Sequence, residues 1–241
     1  MAGLSQRFTA AGYDRPKYML EAHGRSLFDH AVLSFRDNFD RLPFLFIARD
    51  VAGTADFVRA RASVLGIAEA LVAVLDQPTR GQAETVALGL GQANIDAATP
   101  LSIFNIDTFR PGFRFPDWID DCDGYLETFV GEGPNWSFVR PIEAGSDRAA
   151  ETSEKIPISN FCCTGLYHFA TAGLFTQAYS KDSTLGADQL QAGELYVAPL
   201  YNRLIADGRD IRFTVVPKNE VIFCGVPAEY EAFLSGPIAC D

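Results

Sequence analysis

Histidine, cysteine and tryptophan are all scarce in this chain: three, five and two residues among 241. His23, His30 and His168 share no spacing that suits a common metal ion, so all three are read as structural. No Ser–His or Cys–His pairing stands out, and nucleophilic catalysis through such a pair is not expected. The cysteines are odd in number and include no Cys-x-x-Cys pair. Cys122, Cys162, Cys163, Cys224 and Cys240 are therefore read as reduced, small core residues of a cytoplasmic protein. No apolar run approaches the length needed to span a bilayer. Met1-Ala2-Gly3-Leu4-Ser5-Gln6-Arg7 lacks the basic start and apolar stretch of a secretory leader, and none is expected. Basic residues are also in deficit. Twenty Lys+Arg against 31 Asp+Glu leave a net charge of −11. Nucleic acid and anionic membrane would be repelled over most of such a surface, so neither is an expected partner. A locally basic cleft is compatible with that total.

What remains is an ordinary globular balance, with 48% hydrophobic and 21% charged residues. It excludes a disordered chain, a collagen and a coiled coil. No internal repeat, low-complexity tract or linker interrupts the chain, so residues 1–241 are read as a single domain.

The first half alternates helix and strand signals. Leu27, Ala31, Phe35 and Phe39 recur every fourth residue, which predicts an amphipathic helix from Ser26 to Asn38. Buried strands are predicted at Pro43–Ala48, Ala70–Leu75 and Leu101–Ile106. Between them lie helices from Thr54 to Leu65, capped by Thr54, and from Thr79 or Gly81 to Ala93. This alternation implies a parallel sheet covered by helices. The second half predicts longer strands at Gly124–Val130, Trp136–Pro141 and Phe161–Phe169. Helices around Thr171–Tyr179 and Tyr196–Ala206 follow, then a strand pair at Ile211–Val216 and Glu220–Cys224 and a closing helix at Pro227–Leu234.

Ligands of an open parallel sheet bind beyond the carboxyl ends of its strands. Two polar constellations belong there. One is Gly3-Leu4-Ser5-Gln6-Arg7-Phe8, followed by Gly12 and Pro16-Lys17. The other is Asn105-Ile106-Asp107-Thr108. A small, flexible loop with an arginine fork and a nearby lysine suits a polyphosphate. A strand-end aspartate suits Mg²⁺, which prefers carboxylate and phosphate oxygens. Together these features favour nucleotide binding.

Four motifs now carry a likeness. Met1-Ala2-Gly3-Leu4-Ser5-Gln6-Arg7-Phe8 with Pro16-Lys17 reads as a signature loop and lysine. Gln77-Pro78-Thr79-Arg80-Gly81-Gln82-Ala83 reads as a base-recognition segment. Asn105-Ile106-Asp107 reads as a metal-binding strand end. Glu154-Lys155 followed by Thr164-Gly165-Leu166-Tyr167 reads as an acceptor-phosphate lysine and an acceptor-site glycine. In this order, and over nearly the whole chain, the sequence resembles the sugar-phosphate nucleotidylyltransferases, or nucleotide-sugar pyrophosphorylases. The likeness is greatest to short bacterial forms that serve capsule and other surface polymers.

The resemblance implies a Rossmann-like, GT-A-like α/β fold: a mixed, mainly parallel central sheet flanked by helices. Residues 1–110 would form its nucleotide-binding half and 111–241 its acceptor-binding half. It implies Mg²⁺-dependent transfer of a nucleotidyl group from an NTP to a sugar phosphate or other small phosphorylated acceptor. Arg7, Lys17 and Lys155 would be catalytic and Asp107 would hold the metal. Ala2, Gly3, Ser5, Gln77, Gly81, Gln82 and Asn105 would bind the nucleotide, with Met1 alongside. Glu154, Gly165 and Glu194 would bind the acceptor, with Tyr196 as a further lining residue. The glutamine-rich base segment suits the amide edge of a pyrimidine, so CTP or UTP/dTTP is expected. A homo-oligomer is compatible with such an enzyme.

Three departures from the family pattern stand out. Ser5 replaces the usual second glycine of the loop. Phe223 and Cys224, not an aspartate, precede the late Gly225, so a second metal carboxylate is missing or comes from elsewhere, such as Glu194 or Glu229. The family's first strand would lie upstream of Met1, so a strand preceding this sequence is expected. Two alternatives remain open: a GT-A-type glycosyltransferase using a nucleotide-sugar, and a non-catalytic nucleotide-sugar-binding protein.

Overall fold

The computed structural model describes residues 1, 3 and 6–236, which fall into two units. The first comprises Met1–Pro78, Asn105–Arg114 and the described residues from Asn219 onward; the second comprises Thr79–Phe104 and Phe115–Lys218. Cys240 lies outside the described residues. The chain is mixed α/β, as its alternation implies.

In the first unit, Phe44–Ala48 and Ala70–Val74 are short apolar segments, and they pair in parallel from Phe44↔Ala70 to Ala48↔Val74. A parallel pair needs a crossover. Thr54–Leu65 supplies it, ending at Gly66 in the left-handed conformation (φ 79°). Its apolar face places Val58 and Ala62 against Phe28, Phe39 and Phe46. The predicted cap is displaced by one residue. Gly53 is the N-cap, because the Thr54 side chain is occupied elsewhere: Oγ1 donates to Val51 O at 2.5 Å and shares a 2.7 Å hydrogen bond with the Tyr18 hydroxyl. Asp50 Oδ1 accepts the Ala55 N–H instead (3.1 Å).

The predicted helix from Ser26 to Asn38 is shorter than its periodicity suggests. It starts with a Ser26–Asp29 capping box, runs Leu27–Leu33, and continues only as a 3-10 turn at Arg36–Asn38. Ser34 diverts it: its hydroxyl donates to His30 O (3.4 Å) and accepts the Arg110 N–H (2.8 Å). Such side-chain bonds compete with the helix ladder. Phe35 then turns out to meet Phe44 and Phe113, at ring-centroid distances of 6.4 and 5.1 Å.

The second unit is built around Phe161–Phe169, which is buried from Cys162 onward. One side pairs antiparallel with Gly124–Val130; the other takes Leu101–Phe104 and, at Cys162, Ser137–Pro141. Thus the third strand of the early alternation pairs antiparallel with a later one. Ile211–Val216 extends the sheet in parallel with Gly124–Val130. The predicted late strand pair does not form. Ile222–Phe223 pairs instead with Thr108–Phe109, because the apolar partner for each segment lies upstream.

Ala149–Glu154 is a strand that apolar patterning does not reveal, since its sequence is AAETSE. Five register positions with Ser137–Pro141 hold it, and Asn202 brackets Thr152 with two hydrogen bonds of 2.8 Å. Thr171 caps Ala172–Asp182 by accepting the Leu174 N–H. The following helix begins at Tyr201, not at Tyr196, after a 3-10 turn at Ala198–Leu200. Pro199 fits the first turn of a helix but not a later one, so a regular helix running on from Tyr196 would lose a hydrogen bond there. No helix among the described residues is long and apolar enough to cross a membrane.

Cys122, Cys162, Cys163 and Cys224 are free and buried. The histidines serve packing. His23 and His30 bond the carbonyls of Phe233 (2.7 Å) and Ala22 (2.9 Å), and His168 Nδ1 bonds Ser102 Oγ (2.9 Å). Burial holds His168 down to about 4, against 6.5 for a free imidazole. Between those pH values the unfolded chain binds a proton that the folded chain refuses. Stability from this group is therefore full above pH 6.5 and is lost as pH falls toward 4. From pH 7 to pH 5 the native protein should lose about 2 kcal/mol more than His168→Gln, as measured by urea unfolding. Equal losses would show that His168 is charged in the folded state.

Candidate active site

In the first unit, two segments distant in sequence meet through an ion pair. Lys17 Nζ donates to Asp107 Oδ2, and both side chains remain about one-fifth to one-quarter exposed. Pro16 precedes Lys17 with φ −53°, which pre-sets the 3-10 turn Lys17–Met19. Asp107 follows the strand Leu101–Phe104 by three residues, and its carbonyl accepts the Cys224 N–H at 2.8 Å. The Met1 nitrogen donates to Ile47 O (2.8 Å), which lays the start of the loop beside Phe44–Ala48.

Arg7 is exposed on the short helix Gln6–Ala10, while its neighbour Phe8 is buried between Tyr13 and Tyr230. Gly3 and Gln77 are exposed and Asn105 is half-buried. Ala2 and Ser5 lie outside the described residues.

Gly225 leaves space that Asp107 uses. A Cβ there would stand 3.3 Å from Asp107 Oδ2 and 3.5 Å from Glu229 Oε2. Glu229 is thus the nearby carboxylate, and it also caps the helix Pro227–Ser235. Its Oε2 accepts N–H groups from Gly225 (2.8 Å) and Val226 (3.2 Å). Cys224 offers no ligand. It is fully buried, and burial, with Glu229 and Asp107 nearby, pushes its thiol up to about 12. Glu194 belongs to the other unit. Among the described residues no group of three or more His, Cys, Asp or Glu is arranged to hold a metal ion. Asp107 is a part-exposed hard-oxygen donor. A single carboxylate suits a cation such as Mg²⁺, which completes its shell with water and phosphate oxygens.

Two cavities lie in this unit. One, of about 200 Å³, lies at the carboxyl ends of the parallel strands and is lined by Arg49, Asp50, Val51, Val74, Leu75 and Asp76. Arg49 and Asp76 belong to none of the motifs, yet each directly follows a predicted strand, and strand ends are where ligands bind. The larger, about 430 Å³, is rimmed by Arg15, Arg25 and Arg61 and includes none of the expected site residues.

In the second unit Lys155 meets Tyr196, with Glu154 and Glu194 close enough to act on its charge. Glu154 ends the strand Ala149–Glu154 and Lys155 follows it. Glu154 is buried, accepts the Ser137 hydroxyl on Oε2, and donates its own N–H to Gln191 Oε1 (2.6 Å). Burial raises its carboxyl above the usual range. Lys155 adopts φ 58°, held by its N–H to Trp136 O (2.8 Å). Its Nζ donates to the Tyr196 hydroxyl at 2.5 Å. That bond, with Glu154 and Glu194 adding their charge, raises the Lys155 ammonium. Gly165 adopts φ 98° where the pairing with Gly124–Val130 slips between Cys163 and Tyr167. Such a bulge requires a residue tolerant of positive φ. Glu194 is exposed and Gln82 half-buried.

Gly81 joins two of these elements. It caps the helix Gln82–Gln92 with φ 149°, and a Cβ there would fall 2.4 Å from Leu195 O. The contact is fastened on both sides: Leu195 N donates to Arg80 O (2.9 Å) and Ala83 N donates to Leu195 O (2.8 Å). The segment expected to read the base is therefore bonded to the loop that carries Glu194 and Tyr196.

No family model matches the chain, and no curated protein matches it. Solved structures do. A nucleoside-diphosphate-sugar pyrophosphorylase from Vibrio cholerae RC9 shares 51% identity over 98% of both chains, with a TM-score of 0.94. The chain belongs to the nucleotide-sugar pyrophosphorylase family. It is accordingly a nucleotidyltransferase. More distant structures share the fold. An inositol-1-phosphate CTP transferase from T. maritima is 16% identical, covering 99% of this chain and 95% of its own, with a TM-score of 0.70. A UTP-bound UGPase from Acinetobacter baumannii is 12% identical, covering 97% and 89%, also at 0.70.

The Gly81 contact makes a stability prediction. Gly81→Ala should cost about 2–4 kcal/mol in urea unfolding, because backbone atoms of Leu195 occupy the space of the new methyl. Gly66→Ala, also at positive φ but facing open space, should cost about 1 kcal/mol. Equal costs would mean that the 81–195 contact is loose.

Proposed function

We propose that this pyrophosphorylase-family enzyme transfers a nucleotidyl group from a pyrimidine NTP to a sugar phosphate or another small phosphorylated acceptor. The product would be a precursor for a surface polysaccharide. The observation that carries the reading is Lys17 paired with Asp107 after the signature loop, in a chain half-identical to a pyrophosphorylase. A pyrimidine is supported by Gln77 and Gln82, whose amides match its donor and acceptor edge. The fold accommodates pyrimidine nucleotides, since neighbours carry CTP and UTP in their names.

In the reaction, an acceptor phosphate oxygen attacks the α-phosphorus and the bond to the β-phosphate oxygen breaks. Pyrophosphate leaves with the electron pair. The attacking oxygen is already anionic near neutral pH, so no general base is required. This agrees with histidines that serve packing. The chain's task is to hold two anions together and offset the charge that develops. Lys17 rests on Asp107 and would move onto the triphosphate when it enters. Arg7, exposed on its short helix, would add a fork to the same phosphates. Lys155 would hold the acceptor phosphate in line, and the backbone near Gly3 and Asn105 would follow the nucleotide. Asp107 would hold Mg²⁺ against the phosphates; the ion would supply Lewis-acid charge to the transferring group.

The test is pyrophosphate release with Mg²⁺, each NTP in turn, and a panel of sugar 1-phosphates and non-sugar phosphate monoesters. Release should require one pyrimidine NTP and one acceptor. Lys17→Ala should lower kcat/KM by about 10²–10³-fold. The same change should shift stability by under about 1 kcal/mol, since the pair is part-exposed. Transfer or hydrolysis of a nucleotide-sugar without pyrophosphate release would instead identify a glycosyltransferase.

A further inference from the structure

The two lysines of the proposed mechanism are held by different kinds of partner. Lys17 lies on a carboxylate, Asp107. Lys155 lies on a neutral phenol, Tyr196, although two carboxylates, Glu154 and Glu194, are close enough to act on its charge. We propose that Tyr196 is the positioning residue for Lys155: its hydroxyl fixes the ammonium where an acceptor phosphate must bind, and its own place is set by the bond between segment 80–83 and Leu195. This deepens the proposed function and rests on Lys155 meeting the acceptor phosphate.

Three observations carry it. First, Lys155 needs an anchor. Its main chain is fixed by the Trp136 carbonyl, but its side chain is exposed and has a long, rotatable stem. Second, Tyr196 is a rigid anchor. Leu195 and Val197 on either side are fully buried, and Leu195 is bonded to Arg80 and Ala83 with Gly81 packed directly against it. The hydroxyl reaches Nζ at 2.5 Å, and Nζ lies 4.7 Å from the ring centroid. Third, the anchor leaves the charge intact. A carboxylate partner would have to be displaced by the incoming phosphate. A phenol oxygen accepts one ammonium hydrogen and leaves two, with the full positive charge, for the ligand. Burial raises the Tyr196 hydroxyl above its ordinary value, so it stays neutral while Lys155 is charged.

The test is Tyr196→Phe in the native and Lys155→Ala backgrounds, in the pyrophosphate-release assay. Tyr196→Phe should raise the acceptor KM about tenfold and leave the NTP KM within about twofold. In the Lys155→Ala background it should add no more than about twofold, because a residue acting only through Lys155 loses its effect when Lys155 is gone. An unchanged acceptor KM, or an equal penalty in both backgrounds, would overturn the proposal. A second readout does not depend on turnover. The Lys155 ammonium, titrated by NMR in the protein without substrates, should titrate lower in Tyr196→Phe than in the native protein. Identical titrations would overturn it even if no acceptor is found. Absence of pyrophosphate release alongside a lowered Lys155 titration would count against the proposed function, while the Tyr196–Lys155 contact would stand.

Discussion

The Lys17–Asp107 ion pair joins two segments ninety residues apart in sequence and gives the first unit its polar centre. An acidic chain of net charge −11 must place its few cations with care if it is to collect phosphates. Pairing Lys17 with a part-exposed carboxylate answers part of that need. The lysine is held in place, and its partner is the group that a hard cation would take over. Little energy is stored in such a pair, so the exchange of partners is nearly free. Gly225 completes the arrangement by bringing no side chain into the space beside Asp107.

The two lysines then illustrate two ways of keeping a charge ready. Lys17 is paired with a carboxylate, from which, in the proposed mechanism, substrate would release it. Lys155 is steered but not neutralised, because its anchor is a phenol. The difference follows from what each would meet: a triphosphate that arrives with a metal ion, or a lone phosphate monoester that must be drawn in unaided. Buried Glu154 beside Lys155 adds a third element, a carboxylate whose burial makes it eager for hydrogen-bond donors.

Much of this was legible in the residues, and the exceptions have common causes. Strands with continuous apolar runs, such as Phe44–Ala48 and Phe161–Phe169, stand at or near their predicted limits. Ala149–Glu154 carries no apolar run because it is held by strand pairing, by Asn202 and by polar bonds of its own side chains, such as Thr152 to Ala198 O. The caps and helix ends at Thr54 and Ser34 were misread because each hydroxyl found a partner outside its helix. Among site residues, Lys17 and Asp107 each stand in a motif, but neither motif indicates that the two side chains pair. The bond between Tyr196 and Lys155, and the contact of Gly81 with Leu195, depend on register between segments far apart in sequence. No local pattern encodes such distances.

The strand Phe161–Phe169 has three partner segments, Leu101–Phe104, Gly124–Val130 and Ser137–Pro141, and all three precede it in the chain. On the ribosome, these partners leave the exit tunnel before the strand that unites them. For that interval Leu101–Phe104 and Gly124–Val130 have no native neighbour, and the sheet of the second unit cannot close. Vectorial synthesis therefore delays this sheet until Phe169 has emerged, and its outer edge until Ile211–Val216 has followed. Until both have emerged, the nascent chain carries unsatisfied strand edges of the kind that chaperones cover.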